Sequence, residues 1–385
     1  MNISSKSNIE IISPNDGYHY FFGYYDLQPY NKDATKHLAH RVSFIDRIPE
    51  IDDVAEVGYI TLADKVFHKV DVTHAWNFQQ GALLQWFDEE NIIYNDFRAG
   101  NFCSIIKNIY NGNERIICQP LANLSLNRKW GLSINFPRVW DFRPGYGYCN
   151  LKDKFYSENT PEQDGIFLVD IEKNTSKLIV NYKQLAEIFP EKPFCDMKLL
   201  VNHITFNPSA NRFLFLLRNF PEPGKRWGTI LITADRDGNN LKNLTNYEVN
   251  SHYYWKNDKE IIIYSGLPKW GIYFINDDNG ERQMLDDDLI NYDDIHCIYS
   301  PDRTCFIGDG YPNTGSSRYI MFYDLINKKS RAIAKVYSMP VGNTDIRCDL
   351  HNRFSVDGKL VSFDSYHTDK RQICQFVFEK EKYLK

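Results

Sequence analysis

Methionine is sparse in this 385-residue chain, with only five. No Cys-x-x-Cys pair occurs among its eight cysteines, at 103, 118, 149, 195, 297, 305, 348 and 374. That removes the short-spaced zinc and redox frameworks and leaves reduced, buried thiols as the expectation. Basic excess is absent too: 45 Lys+Arg against 50 Asp+Glu give a net charge of -5, which argues against nucleic acid and against a polybasic membrane contact. No window approaches the roughly 18 apolar residues of a membrane helix. The opening MNISSKSNIEIISPNDGY has no apolar core of about 7–15 residues as in a secretory leader, so a cytoplasmic protein is expected. Helical periodicity is weak, with one clear candidate at Tyr182–Phe189 and a short turn near Leu285–Ile290.

Aromatic residues are abundant instead: 15% of the chain, with 25 Tyr, 25 Phe and 7 Trp. Such side chains suit pleated, half-buried surfaces. Strand-length runs follow one another, among them RFLFLL (212–217), EIIIY (260–264), GIYFI (271–275) and YIMFY (319–323), bounded by Asn, Asp, Gly and Pro. Four segments align without gaps: HITFNPS from His203, HYYWKND from His252, HCIYSPD from His296 and HNRFSVD from His351. Each is a His, an aromatic three residues on, a turn, then a second apolar strand. The histidines fall 49, 44 and 55 residues apart. Weaker copies precede them at Tyr30-Asn-Lys-Asp and Trp86-Phe-Asp-Glu, with a third expected around Ser133–Phe136. Seven units of about 55 residues predict an all-β chain, a seven-bladed β-propeller with blades of four antiparallel strands, forming a single domain over 1–385. No linker divides it, and a closed ring has no need of a partner, so a monomer is expected.

The first strand of each blade lines the central channel, so the repeat histidines should meet near one mouth. The ends of the second strands, including Arg218-Asn219, Asp309-Gly310-Tyr311 and Asp364-Ser365, should rim it. Imidazoles from separate strands can hold a metal with a position open for substrate. SINFPRVWDFRPGYGY (133–148) puts Arg138 and Arg143 among aromatic rings, a pattern suited to clamping a carboxylate and covering a sugar face. Gln80, within Trp76–Gly81, offers an amide to hydroxyls or to a metal, and Asp309 joins the substrate-binding set. Strand alternation would place Arg347, Asp349 and His351 on one face.

At FFGYYD (21–26), WNFQQGALLQW (76–86), RPGYGY (143–148) and DLHNRFSVDGK (349–359) the chain resembles the oligogalacturonate lyase-like propellers, over about Phe21 to Phe378. The resemblance implies β-elimination on uronic-acid glycans and a divalent ion of the Mn²⁺ type. By spacing, His296 and His351 match the metal-binding histidines and His252 the base. The pattern departs where the family carries a Gln before its last His pair: Arg347, Cys348 and Asp349 stand there, and Arg353 replaces a second His. The candidate metal set is therefore His296, His351, His252 and Asp349. The base is His252 or His203, and Arg138, Arg143, Arg218 and Arg347 are the carboxylate binders. Tyr311 or Tyr24 is the acid toward the leaving oxygen. The expected partner is an oligosaccharide. A non-catalytic propeller of the TolB type, binding a glycan or protein, is the alternative. A glycosidase using two of Asp96, Asp309 and Asp364 is a third reading, disfavoured by the His and Arg excess.

Overall fold

In the computed structural model, which describes residues 8–188, 197–245, 247, 249–266, 268–285, 294–311, 316–366 and 369–384, the strands assemble into seven four-stranded antiparallel sheets. They are the blades of a β-propeller. Blades four to seven begin with inner strands at Leu199–Phe206, Asn250–Trp255, Ile298–Tyr299 and Arg353–Phe354, and their second strands are Arg212–Asn219, Glu260–Ser265, Cys305–Asp309 and Leu360–Ser365. The second strands read as near-continuous apolar runs because a neighbouring blade covers each face: Phe213, Leu214, Phe215, Leu216 and Leu217 are all buried. The ring closes without a covalent bond. Glu10 and Ile11 pair with Gln375 and Cys374 to supply the outer strand of blade seven.

The first two weak repeats lie where expected, with Lys36–Val42 and Asn91–Arg98 as second strands. The third is displaced. Blade three starts at Asn123–Leu124 and Trp130–Ser133, and its turn, Ser125-Leu-Asn-Arg128, lacks Pro and Gly. Phe136 instead opens a short helix, Phe136–Phe142, capped by Asn135, whose side chain accepts from the Arg138 amide. The helix expected from Tyr182 runs Tyr182–Ile188, its first turn held by Asn181 accepting from the Gln184 amide. Phe189 and the stretch 286–290 lie outside the described residues. The seven described cysteines are free thiols, but Cys118 is exposed and Cys149 only partly buried.

Two local irregularities shape the channel. In blade one the inner strand breaks after His19–Phe21 and regains register at Tyr30, opposite His37. The eight residues between, 22–29, turn into the channel at Gly23, whose φ is +129° and whose added Cβ would lie 2.8 Å from the Gln80 carbonyl oxygen. In blades four and five the register shifts between Asn202 and Ile204 and between Asn250 and Tyr253. His203 and His252 sit in these bulges, a device that re-aims a side chain off the pleat. His203 and His351 both hold left-handed backbone, with φ of 50° and 45°, which costs a non-glycine residue roughly 1–2 kcal/mol.

Candidate active site

The repeat histidines converge as their spacing predicts. The His252 and His296 ring centroids lie 3.6 Å apart, and those of His296 and His351 lie 4.5 Å apart. His203 joins through Tyr24, which the blade-one excursion inserts between them: its ring stacks on His203 at 5.0 Å and meets His351 edge-on at 4.9 Å. Tyr25 packs 5.1 Å from His296 and donates its hydroxyl to the Tyr253 carbonyl at 2.6 Å.

Burial drives the His203, His252 and His351 pKa values below the ordinary imidazole range, so these rings are neutral at physiological pH. Their partners fix where the proton sits. His351 Nδ1 donates to the Gly23 carbonyl at 2.8 Å, and its Nε2 is buried without a partner. His296 Nδ1 faces the buried Asp309 carboxylate at 3.3 Å, and its Nε2 is also unpartnered. His252 Nδ1 meets Asp294 at 2.9 Å, which favours a proton there and a basic Nε2.

A carbonyl or carboxylate behind Nδ1 and an unpartnered Nε2 ahead is the arrangement of metal-ligating histidines. Ligand atoms of His296, His351 and Asp349 all lie within 4.8 Å of one another. Burial opposes charge on Asp349, but Arg347 at 2.7 Å and Arg318 at 2.8 Å hold its carboxyl well below the usual range. The donor set therefore fits a divalent ion, with Asp349 sharing its charge with two guanidinium groups. His252 packs on His296 but is outside that set of ligand atoms, its Nδ1 facing Asp294.

The arginines divide. Arg218 is 5% exposed and donates to the Asn202 side chain at 3.0 Å. No carboxylate lies within ion-pair distance of it among the described residues, and burial with neighbouring Arg143 brings its pKa down to about 10. Arg143 stacks over Tyr146 at 4.6 Å and reaches Asp345 only at 3.8 Å. Tyr146 in turn lies 5.2 Å from His203. Arg347 is more committed, to Asp349, Tyr146 and the Thr344 carbonyl. Arg138, expected in the carboxylate clamp, is fully buried and consumed by Asp153 at 3.0 Å and by the carbonyls of Leu199, Phe155, Glu158 and Asn159. It anchors the blade-three excursion and is closed to ligands.

Other expectations change in detail. Asp309, expected to bind substrate, is fully buried; it accepts from the Leu350 amide and backs His296. Arg347, Asp349 and His351 do meet, but from irregular backbone rather than strand alternation. Gln80 lines a small cavity of about 20 Å³ with Tyr24, Tyr146, Asn202 and His203, whereas its neighbour Gln79 donates to the Arg347 carbonyl at 2.8 Å. Tyr311 lies 6.2 Å from both His252 and His296, ring to ring, under the guanidinium groups of Arg347 and Arg318 at 5.5 and 5.6 Å. Burial holds its phenol proton well above the usual range, against the pull of Arg347. The glycosidase pair fails: Asp364 accepts from the Phe22 and Gly23 amides and pairs with Arg353, and Asp96 pairs with Arg98. Asp294 was missed by the sequence; its position two residues before a repeat His was the available signal.

No family model and no curated protein matches the chain. Solved structures do. An oligogalacturonate lyase in complex with manganese superposes with a TM-score of 0.69 at 14% identity, covering 98% of this chain and 96% of that one. The oligogalacturonate lyase of Vibrio parahaemolyticus gives 0.67 at 13% identity, with the same coverage. A puromycin-hydrolyzing peptidase of Mycobacterium tuberculosis gives 0.55 at 11% identity, with 95% of this chain against 53% of that one. The chain thus has the propeller fold of oligogalacturonate lyases along nearly its whole length. Among the described residues, no helix is long and apolar enough to cross a membrane.

Proposed function

We propose that the His-lined mouth performs β-elimination on a uronic-acid-containing oligosaccharide. The observation that carries this reading is a buried Arg218 without a carboxylate partner beside neutral, buried histidines. An anion completes such a site, and a neutral imidazole is available to take a proton. Arg218 and Arg143 hold the uronate carboxylate and stabilise the charge that moves onto it as C5 loses its proton. His252 is the base: Asp294 pins Nδ1, so Nε2 accepts the C5 proton and Asp294 stabilises the resulting imidazolium. The electron pair forms the C4–C5 double bond as the C4–O bond breaks. Tyr311, kept protonated by burial, gives its proton to the leaving oxygen. His203 and Tyr24 form the stacked wall of the pocket, with Gln80 and Arg347 at its edge. His296, His351 and Asp349 would hold a divalent ion, Mn²⁺ by likeness to the lyase complex; added positive charge against the carboxylate is the chemistry such an ion supplies when bound.

The test is ultraviolet absorbance of the unsaturated uronate product across a panel of uronate oligosaccharides, with Mn²⁺ and after EDTA. A rise that EDTA suppresses is expected. No rise on any uronate substrate, with or without metal, overturns the reading. Glycan binding retained without turnover would make the protein a glycan-binding propeller.

A further inference from the structure

The opposite mouth of the channel holds a second cavity, of about 360 Å³, with walls from all seven blades. Its size matches small-ligand pockets, which run roughly 300–1,000 Å³. The blades reach this mouth through a repeated four-residue turn. In five of the seven, the fourth amide donates to the carbonyl of the first, and the fourth residue is left-handed: Ala34, Arg128, Ala210, Arg303 and Gly358, with φ of 50°, 60°, 55°, 58° and 73°. Blades one, four and seven put a small residue there, where glycine carries no steric cost. Blades three and six put arginine there, and both arginines line the cavity.

Neither cation is neutralised. Among the described residues no carboxylate lies within ion-pair distance of Arg128 or Arg303. Arg303 is held over the rings of Tyr254 and Tyr299, its guanidinium carbon 5.6 Å from each centroid. Burial lowers the pKa of Arg128, against the field of Asp88. Half-buried cations at a strained backbone position, without a carboxylate partner at ion-pair distance, recruit an anion. The floor is different: Asp26, at the end of the blade-one excursion, lines this cavity as well as the small one beside His203. A carboxyl there repels a multiply charged anion and accepts a hydrogen bond from a hydroxyl.

We infer that this mouth is a second binding site, for a hydroxylated organic acid of about monosaccharide size, with its carboxylate on Arg303 or Arg128 and a hydroxyl on Asp26. The inference is independent of any chemistry at the His-lined mouth.

The test is calorimetric titration of D-glucuronate, with methyl glucoside as the neutral match and inorganic phosphate as the compact multivalent anion. Arg143→Met/Arg218→Met serves as background, because it removes the proposed carboxylate binders of the other mouth. Glucuronate should bind in that background and weaken by about tenfold or more when Arg128→Ala and Arg303→Ala are added. Alanine is the residue that blades one and four already carry at this turn, so the change is compatible with the fold. Absent binding in the background, or binding unchanged without the arginines, overturns the site; equal binding of methyl glucoside or phosphate overturns the ligand class. Should that background fail to fold, a crystal of the parent protein soaked in glucuronate decides, by the presence or absence of a carboxylate on Arg303 or Arg128.

Discussion

Blades four to seven and blades one to three are built on one plan but serve the channel differently. Each later blade sends one histidine to the same mouth. The earlier blades send none from their repeats: Leu27 and Leu83, both buried, stand three residues before Tyr30 and Trp86. They contribute through departures from the plan instead: the 22–29 excursion that inserts Tyr24, Tyr25 and Asp26, and the blade-three excursion that delivers Arg143 and Tyr146. The ring therefore separates a repeated half, the reactive one in the proposed mechanism, from an irregular half that narrows and charges the mouth. A repeat can place one residue type at one level with high precision, but only an interruption of it can reach the axis.

The largest effect should come from the reactive half. His252→Asn removes the proposed base and should lower the elimination rate by about 10²–10⁴-fold with an unchanged far-UV spectrum. Asp294→Asn should lower kcat less and shift the acid limb of the rate profile, because it acts through His252. Equal rates in His252→Asn and the parent would end the division of roles between the halves.

A buried arginine from each half gives the next contrast. Arg138 is paired with Asp153, so Arg138→Met strands a buried carboxylate and should cost about 3–5 kcal/mol, read by chemical denaturation. Arg218 has no such partner, so Arg218→Met should leave stability within about 1 kcal/mol of the parent, or raise it, while substrate binding is lost. Reversal of that order would show that the irregular half, not the reactive half, holds the unneutralised charge.

These two residues also mark the limit of what the sequence revealed. The His-x-x-aromatic-turn spacing was enough to count blades and to bring four histidines together, because period and pleat are sequence properties. Arg138 and Arg143 lie five residues apart in one aromatic stretch, and only the helix between them, turning Arg138 inward to five partners, tells them apart. The third blade was misplaced because Ser125-Leu-Asn-Arg128 folds as a turn without Pro or Gly. The closing strand at Glu10–Ile11 is too short to carry a pattern. Asp294 was hidden because its pairing to His252 crosses from blade six to blade five, a contact that no local spacing encodes. Tyr24 was legible as a candidate, but not as the ring between the histidines, since nothing in FFGYYD signals that the strand breaks there.

The smallest expected effect tests the excursion itself. Burial pushes the Asp26 carboxyl up to about 6, against its hydrogen bonds from its own backbone amide and Thr205 and the field of Arg353; its charge in turn raises the phenols of Tyr25 and Tyr253, and Arg128 and Arg303 share its cavity. An acid whose folded pKa lies above its unfolded value of 3.8 binds more protons folded than unfolded between those pH values. Its contribution to stability is thus fully present below about pH 4 and is lost as pH rises through about 6. Asp26→Asn removes the titration while preserving shape. The variant should match the parent in thermal midpoint at pH 4 and exceed it at pH 7 to 8, with the gap opening between. A gap that is constant across this range would show that Asp26 is solvated in the folded protein. The excursion would then be a surface loop folded over the mouth rather than the element that fills the channel between two sites.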